Sequence, residues 1–197
     1  MGLLIEKNGK YCNKNAVENV VRYIIRERKN EDRRNELKGY GAFGVSEYLT
    51  PEVMIKQMNH VQEVYNIEKR GGRRIRHHYY LFNEMDNRFL SVHPEVAMRI
   101  AQECAQIYFN MDHQVVYAVH RDAEGCFHIH FCINAINFMN GLKYNETKRQ
   151  LFTREKLFDE ITRRHITIIN PICFSEYDTD YSFFDEFSNC YNYKVGI

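Results

Sequence analysis

Three histidines near the middle of the chain have a spacing that suits metal binding. His128 and His130 are one residue apart, and His120 precedes them in the segment H-R-D-A-E-G-C-F-H-I-H-F-C-I-N. Alternate residues of a β-strand share a face, so the two close histidines point the same way while Phe127 and Ile129 point into a core. The pair therefore lies on the polar face of an amphipathic strand.

A hairpin turn predicted over residues 122–125 brings the third histidine to the same place. If the hairpin folds about residue 124, His120 lies opposite His128 and diagonal to His130. Opposed Cβ atoms are about 4.5–5.5 Å apart and diagonal ones about 7–8 Å. Three neutral imidazoles at these distances can bind one divalent metal ion and leave it open positions. Such an ion can bind phosphate oxygens and offset the charge that develops when a P–O bond breaks.

The elements around this hairpin predict an α+β fold. Alternating or continuous runs of β-formers predict strands, and apolar residues at helical spacing predict helices. The predicted strands span residues 3–6, 74–82, 114–120 and 127–136, and the predicted helices span 14–29, 50–67, 93–110 and 154–165, with a loop over 30–46. Because these elements do not alternate as β-α-β units, we expect a central antiparallel sheet flanked by helices, in a two-layer sandwich.

Length and composition exclude several protein classes. The 197 residues are 44% hydrophobic, which suits one folded domain rather than a disordered chain. No run of 18 apolar residues occurs, so membrane insertion is not expected. The first residues do not form a secretory signal, and the six cysteines lack a C-x-x-C pair, so we expect reduced thiols and a cytoplasmic protein. A structural zinc site that uses Cys126 or Cys132 is the alternative interpretation of the thiols.

The net charge of +1 conceals an uneven distribution. We expect a single domain over 1–197 in which residues 171–197 form an acidic, aromatic C-terminal segment with five acids and one base. Basic residues elsewhere concentrate in three clusters, which predicts a polyanionic partner. The clusters are Arg22, Arg26, Arg28, Lys29, Arg33, Arg34 and Lys38; Lys69, Arg70, Arg73, Arg74 and Arg76, followed by His77 and His78; and Lys143, Lys148, Arg149, Arg154, Lys156, Arg163 and Arg164.

The histidine segment, written H-R-D-x5-H-I-H-F-x2-N, resembles the third motif of relaxases of the MOB-P-like class. These tyrosine HUH endonucleases are strand-transferring nucleases that start the mobilisation of plasmids and integrative elements. Residues 75–82 and 137–143 are similar to the family's flanking stretches, and residues 15–24 resemble its first motif, in which a nucleophilic tyrosine lies on an N-terminal helix. The chain departs from the family at the second motif, which often carries a serine where this chain has Tyr80-Leu81-Phe82.

The resemblance implies a function and a set of site residues. The protein would nick one DNA strand at an origin of transfer, site-specifically and with a metal ion, and later rejoin it. Tyr23 would attack the scissile phosphate and form a 5′-phosphotyrosyl intermediate. Asp122 would orient a ligand imidazole. The three histidines would hold the metal, and the residues implied to support the site or contact DNA are Asn134, Arg76, His77, Arg22 and Arg26.

The same resemblance implies a cofactor and partners. Mn or Mg is the family's metal, while an all-histidine ligand set also suits Zn, Co or Ni. The DNA would be a single-stranded origin of transfer with an adjacent hairpin or duplex, and accessory relaxosome proteins would assist.

Other interpretations remain open at this stage. Rolling-circle replication initiators and single-tyrosine transposases share the H-x-H site, but their tyrosine usually follows the histidines, which would favour Tyr144 or Tyr177. Tyr11 is the nearest upstream rival of Tyr23. A non-catalytic module that binds single-stranded DNA and carries a structural metal site would also have basic patches and stacking aromatics. A metal-dependent enzyme acting on small molecules finds little support in the basic clusters.

Overall fold

A five-stranded antiparallel sheet forms the centre of the protein, in the strand order β1-β3-β5-β4-β2. The computed structural model describes residues 1–26, 36–46 and 50–169. The strands are β1 Leu3–Glu6, β2 Leu37–Phe43, β3 Ile75–Leu81, β4 His113–Arg121 and β5 Phe127–Asn137. The helices among the described residues are α1 Ala16–Ile24, α2 Pro51–Val64, α3 Ile67–Arg70, α4 Glu84–Val92, α5 Pro94–Phe109 and α6 Lys148–Ile169.

Helices cover both faces of the sheet. On one face Phe127, Ile129 and Phe131 of β5 pack with buried residues of α4, α5 and α6. On the other face Cys132 of β5 packs with Val116 and Ala118 of β4 and with the apolar stripes of α1 and α2. The α+β class with an antiparallel sheet flanked by helices is confirmed. The layers number three rather than two, because α1 and α2 shield the sheet face that the sequence predicted to be open.

Local composition explains where the predicted elements and the structure differ. Residues 37–43 were predicted to be loop but form edge strand β2, whose Gly39 and Gly41 weaken the β signal. At Gly39 a Cβ would lie 2.8 Å from the sulfur of Met98, so the glycine permits close packing on α5. Helix α4 was missed, although Asn83 caps it by accepting a hydrogen bond from Asp86 N at 2.8 Å. Helix α1 ends at Ile24, ahead of the predicted end at 29, which lies outside the described residues.

The β4–β5 hairpin has the predicted register. His120 pairs with His128, and Ala118 pairs with His130, so the three histidine side chains emerge on the face that α1 and α2 cover. Within the described ranges no helix is long and apolar enough to cross a membrane. The cysteines at 12, 104 and 132 are free thiols, and the segment 171–197, with Cys173, Cys190 and Tyr177, lies outside the described residues.

Candidate active site

The three histidines converge at one end of the hairpin. His120, His128 and His130 each offer a ring nitrogen within 4.8 Å of the nitrogens offered by the other two. Their ring centroids are 4.8 to 5.2 Å apart. Direct pairing across two antiparallel strands fixes this arrangement, because the backbone ladder sets the Cβ positions. No other cluster of three such ligands occurs in the described part of the chain.

Burial keeps these imidazoles neutral. It lowers the pKa of His120 to about 3, with the nearby Arg26 guanidinium acting in the same direction. Burial also lowers the pKa of His128 to about 4, and that of His130 well below its usual range. Loss of water around the ring penalises the charged form, so each ring keeps a lone pair at neutral pH. A neutral imidazole is the form that binds a metal ion.

Two residues at the end of α1 orient His120. Its Nε2 donates to the carbonyl oxygen of Ile24 at 2.5 Å, which places the ring proton on Nε2. His120 Nδ1 accepts a hydrogen bond from Arg26 Nη2 at 3.1 Å. Arg26 Nη2 also donates to the Glu36 carboxylate at 2.7 Å. A backbone carbonyl that holds the second nitrogen is a frequent feature of metal-binding histidines. Nδ1 is therefore the His120 nitrogen that faces the site with a lone pair.

His130 is held from the side of β3. His77 Nε2 lies 3.0 Å from His130 Nδ1, and His77 Nδ1 lies 3.2 Å from the Tyr11 hydroxyl. His77 is 3% exposed, and burial lowers its pKa to about 3. Because His77 is buried, it cannot contact DNA directly, which was one of the two roles expected for it. His77 instead lies behind the triad, where it contacts His130.

Tyr23 lies beside the triad. Its ring is 5.8 Å from that of His130 and 6.0 Å from that of His77, edge-on to both. The Arg26 guanidinium lies 5.1 Å from the centre of the Tyr23 ring. Tyr23 is 38% exposed, so a large substrate can reach it. Because Tyr23 falls on the last turn of α1, the helix that covers the histidine face, its phenol lies at the rim of the site.

The rival tyrosines are placed differently. Tyr144 is 5% exposed and packs in the core on the opposite face of the sheet, which removes it as a nucleophile at this site. Tyr11 lies near the triad, but its hydroxyl is hydrogen-bonded to His77. Tyr177 lies outside the described residues.

Two expected roles are corrected by the structure. The Asp122 carboxylate accepts a hydrogen bond from Cys126 N at 2.7 Å and so stabilises the hairpin turn; the predicted contact with an imidazole is not found among the described residues. Asn134 is fully buried and bonds to Gln62, Gln114 and the Met58 carbonyl, so it cannot contact DNA. It ties β5 to α2 and supports the site only through the fold.

The three arginines among the expected DNA contacts are already paired with acids, Arg26 with Glu36 as described above. Arg76 pairs in register with Ile133 on the face away from the triad and donates to Glu6 at 2.5 Å, because successive residues of β3 alternate in direction. Arg22 bonds to Glu18 at 3.0 Å and to Glu52 at 2.8 Å on the outer surface. In the basic clusters, Arg154 is likewise buried against Glu146. Residues 28–34 lie outside the described part of the chain.

One site residue escaped the sequence analysis. The Tyr79 ring stacks on His130 at 5.7 Å, and Lys7 Nζ lies 4.6 Å from the centre of the Tyr79 ring. The sequence did contain a pattern that relates Tyr79 to His77, because alternate residues of a strand such as β3 share one face. Only the pairing of Tyr79 with His130 shows that this face meets the triad.

The donor set suits a divalent ion of the first transition series. Three neutral imidazole nitrogens are donors of intermediate softness that accept Mn²⁺, Co²⁺, Ni²⁺ or Zn²⁺ and leave positions open for oxygen ligands. Cys132, the thiol next to the triad in sequence, is buried in the apolar cluster under α1 and α2, so a zinc site built on it is not supported.

Comparisons with known proteins identify the family of the chain and a shared fold. A family described as "Relaxase: MobA/VirD2-like, nuclease domain" matches residues 23–166. No curated protein matches the sequence significantly. One solved structure, described as "Molecular Basis of Vancomycin Resistance Transfer in Staphylococcus aureus", superposes with a TM-score of 0.53 at 12% identity, over 86% of this chain and 94% of that chain. At this identity the superposition shows a shared fold.

Proposed function

Because this chain belongs to the MobA/VirD2-like relaxase family, we propose that it nicks one DNA strand at an origin of transfer and later rejoins it, using Tyr23 as the nucleophile and a bound metal ion. The observation that carries the proposal is the position of the Tyr23 ring, 5.8 Å from His130 at the edge of the histidine triad. The described part of the chain thus offers a nucleophile and a metal-ligand set in one place.

The proposed reaction exchanges one phosphoester bond for another. The Tyr23 oxygen forms a bond to the scissile phosphorus as the bond from phosphorus to the 3′ oxygen breaks. The phenol gives up its proton and the departing 3′ oxygen takes one, so the products are a 5′-phosphotyrosyl linkage and a free 3′-hydroxyl. Because the phosphoester is conserved in the linkage, attack by a 3′-hydroxyl reverses the step and rejoins the strand.

His120, His128 and His130 would hold the ion, Mn²⁺ or Mg²⁺ in the family, with Zn²⁺, Co²⁺ or Ni²⁺ also suited to the ligands. When bound, the ion would polarise the phosphate and offset the charge that develops on its oxygens. The Arg26 guanidinium, close to both the Tyr23 ring and His120, places a second positive charge beside the reacting group.

The surroundings of the triad suit single-stranded DNA. Tyr23 and Tyr79 flank the histidines, and aromatic rings can stack on unpaired bases. Lys7 lies beside Tyr79, and Lys10 and Lys14 follow in the connection from β1 to α1, where they can approach phosphates. A hairpin or duplex next to the nick site and accessory relaxosome proteins are the partners that we propose for this DNA.

Adduct mapping tests the proposal. The protein is incubated with Mn²⁺ and single-stranded oligonucleotides tiled across the DNA that flanks its gene, then digested and analysed by mass spectrometry. We expect a covalent adduct on the peptide that contains Tyr23. The adduct is lost with a chelator or with Tyr23→Phe, and it persists in Tyr65→Phe, a tyrosine at the end of α2. An adduct on Tyr177 would instead favour a replication initiator or transposase, and binding without any adduct would favour a non-catalytic module.

A further inference from the structure

The β1–α1 connection brings a tyrosine to the back of the metal-ligand set. The Tyr11 hydroxyl lies 3.2 Å from His77 Nδ1, and the other nitrogen of His77 lies 3.0 Å from His130 Nδ1. Backbone hydrogen bonds fix this connection on β3, since Lys7 N donates to the His77 carbonyl at 2.8 Å and Arg74 N donates to the Tyr11 carbonyl at 2.9 Å. Tyr11 has a φ of 44°, a left-handed conformation that residues with a Cβ seldom adopt.

The direction of these hydrogen bonds decides which nitrogen of His130 faces the other two histidines with a lone pair. Since Nδ1 of His130 bonds to His77, only its Nε2 is left to bind an ion. Nε2 has a lone pair only if the ring proton is on Nδ1, which then donates to Nε2 of His77. His77, neutral and with its own proton on Nδ1, must in turn donate to the Tyr11 oxygen.

We propose that Tyr11 and His77 are positioning residues that fix the orientation and tautomer of His130 so that its Nε2 is available to a divalent metal ion. The inference rests on the proposed function, in which His130 is a metal ligand, and adds two residues to that site. Histidine ligands are oriented by groups bonded to their second nitrogen, and changes in those groups weaken metal binding. Here the acceptor is another imidazole, whose own direction is set by a phenol.

Titration calorimetry with Mn²⁺ tests the pair without measuring DNA cleavage. Tyr11→Phe removes the acceptor for His77 Nδ1, and we expect a loss of Mn²⁺ affinity of about 10-fold. His77→Leu removes the acceptor for His130 and should lose about 10- to 100-fold. His77→Gln keeps an oxygen acceptor near the position of Nε2 and should largely restore binding. Tyr65→Phe also loses one hydroxyl hydrogen bond, to the Phe138 carbonyl at 3.0 Å, and is the matched control that keeps full affinity.

A double-mutant comparison shows whether Tyr11 acts on His130 through His77 or whether the two residues affect metal binding independently. In the His77→Leu background, Tyr11→Phe should cause no further loss of Mn²⁺ affinity, because its only route to His130 is gone. Equal losses in both backgrounds would overturn the inference. Nitrogen NMR of the His130 ring provides a second measurement: we expect a proton on Nδ1 in the wild type and a shift towards Nε2 in Tyr11→Phe. An unchanged tautomer would also overturn it, and so would a fully retained affinity in folded Tyr11→Phe.

The outcomes distinguish this inference from the proposed function. If the wild type binds Mn²⁺, His128→Ala abolishes binding and Tyr11→Phe has no effect, the metal site stands and the positioning role fails. If neither the wild type nor its variants bind Mn²⁺, both fail. Circular dichroism of each variant confirms that the affinity change does not come from unfolding.

Discussion

The Tyr23 ring lies 5.8 Å from the His130 ring, with the two planes at 79°. One residue belongs to α1 and the other to β5, and the packing of α1 on the sheet brings them together. An edge-on arrangement leaves the phenol at the rim of the triad rather than buried in it.

Replacing Tyr23 by phenylalanine should abolish cleavage while leaving DNA binding within about twofold. The ring that can stack on a base is retained, and only the nucleophilic oxygen is lost. We expect the nicking rate to fall by at least about 1,000-fold, as for the loss of other essential nucleophiles. Gel-based nicking and fluorescence anisotropy measure the two effects. Nicking by Tyr23→Phe at the wild-type rate would show that another residue attacks the phosphate.

Arg26 and a metal ion should compete for His120. Nη2 of Arg26 occupies the lone pair of His120 Nδ1 at 3.1 Å, so Arg26→Gln should raise Mn²⁺ affinity. Losing one charge-assisted hydrogen bond corresponds to about 1.5 kcal/mol, or roughly a 10-fold change. The same change should lower the nicking rate, because a positive charge beside Tyr23 is lost. Arg22, which lies in α1 and pairs with Glu18 and Glu52 on the outer surface, provides the matched control as Arg22→Gln. A lower Mn²⁺ affinity in Arg26→Gln would contradict the competition.

Stability should fall as the pH drops below about 6.5, the pKa of histidine in an unfolded chain. Among the described residues, burial depresses the pKa of seven histidines: His77, His78 and His120 to about 3, His128 to about 4, His130 well below its usual value, and His113 and His165 in the same direction. Between about pH 6.5 and the folded-state values, the unfolded chain therefore binds more protons. Each such histidine removes about 1.4 kcal/mol of stability per pH unit in this window.

Two of the described carboxyl groups, Asp86 and Asp122, have a pKa raised by burial and oppose this trend without reversing it. Burial raises the pKa of Asp86 to about 7, so this group favours the folded state as the pH falls towards 4. Thermal unfolding at pH 7.5, 6.5 and 5.5 at constant ionic strength measures the slope. His78→Gln, outside the triad, should reduce the slope by about one proton. A melting temperature that stays constant from pH 7.5 to 5.5 would contradict the prediction.

The lysines between β1 and α1 should contribute to DNA affinity through phosphates. Lys10 and Lys14 are exposed in the connection that holds Tyr11 next to His77. Replacing both by glutamine should weaken single-strand binding and reduce the slope of log K against log salt by about 1.4, at about 0.7 per phosphate contact. Lys148 and Lys156 lie on α6, across the sheet, and their double replacement is the control. An equal change in both double variants would argue against a DNA path along the first connection.

The sequence by itself determined the hairpin and its histidines. The alternation of polar and apolar residues along β5, the turn at 122–125 and the position of His120 are local features of the sequence. The hydrogen bonds between β4 and β5 then set the pairing of the two strands and place the three histidines on one face of the sheet. For the same reason the strands at 3–6, 75–81 and 113–121 were predictable to within a residue or two. A relaxase-like sheet hairpin and a candidate metal-ligand set of three histidines were thus predictable from one segment.

Only the tertiary structure decided which neighbours serve that site. Asn134 is on the same face of β5 as the histidines, yet α2 buries it. Tyr11 had no local signal that connected it with His77, and the alternation of β3 placed Tyr79 on the face of His77 without showing that this face meets His130. Each of these outcomes depends on contacts between elements far apart in the chain. Packing of α2 on the sheet buries Asn134, pairing of β3 with β5 brings Tyr79 to His130, and backbone hydrogen bonds to β3 hold Tyr11 near His77. Local residue spacing carries no information about these contacts.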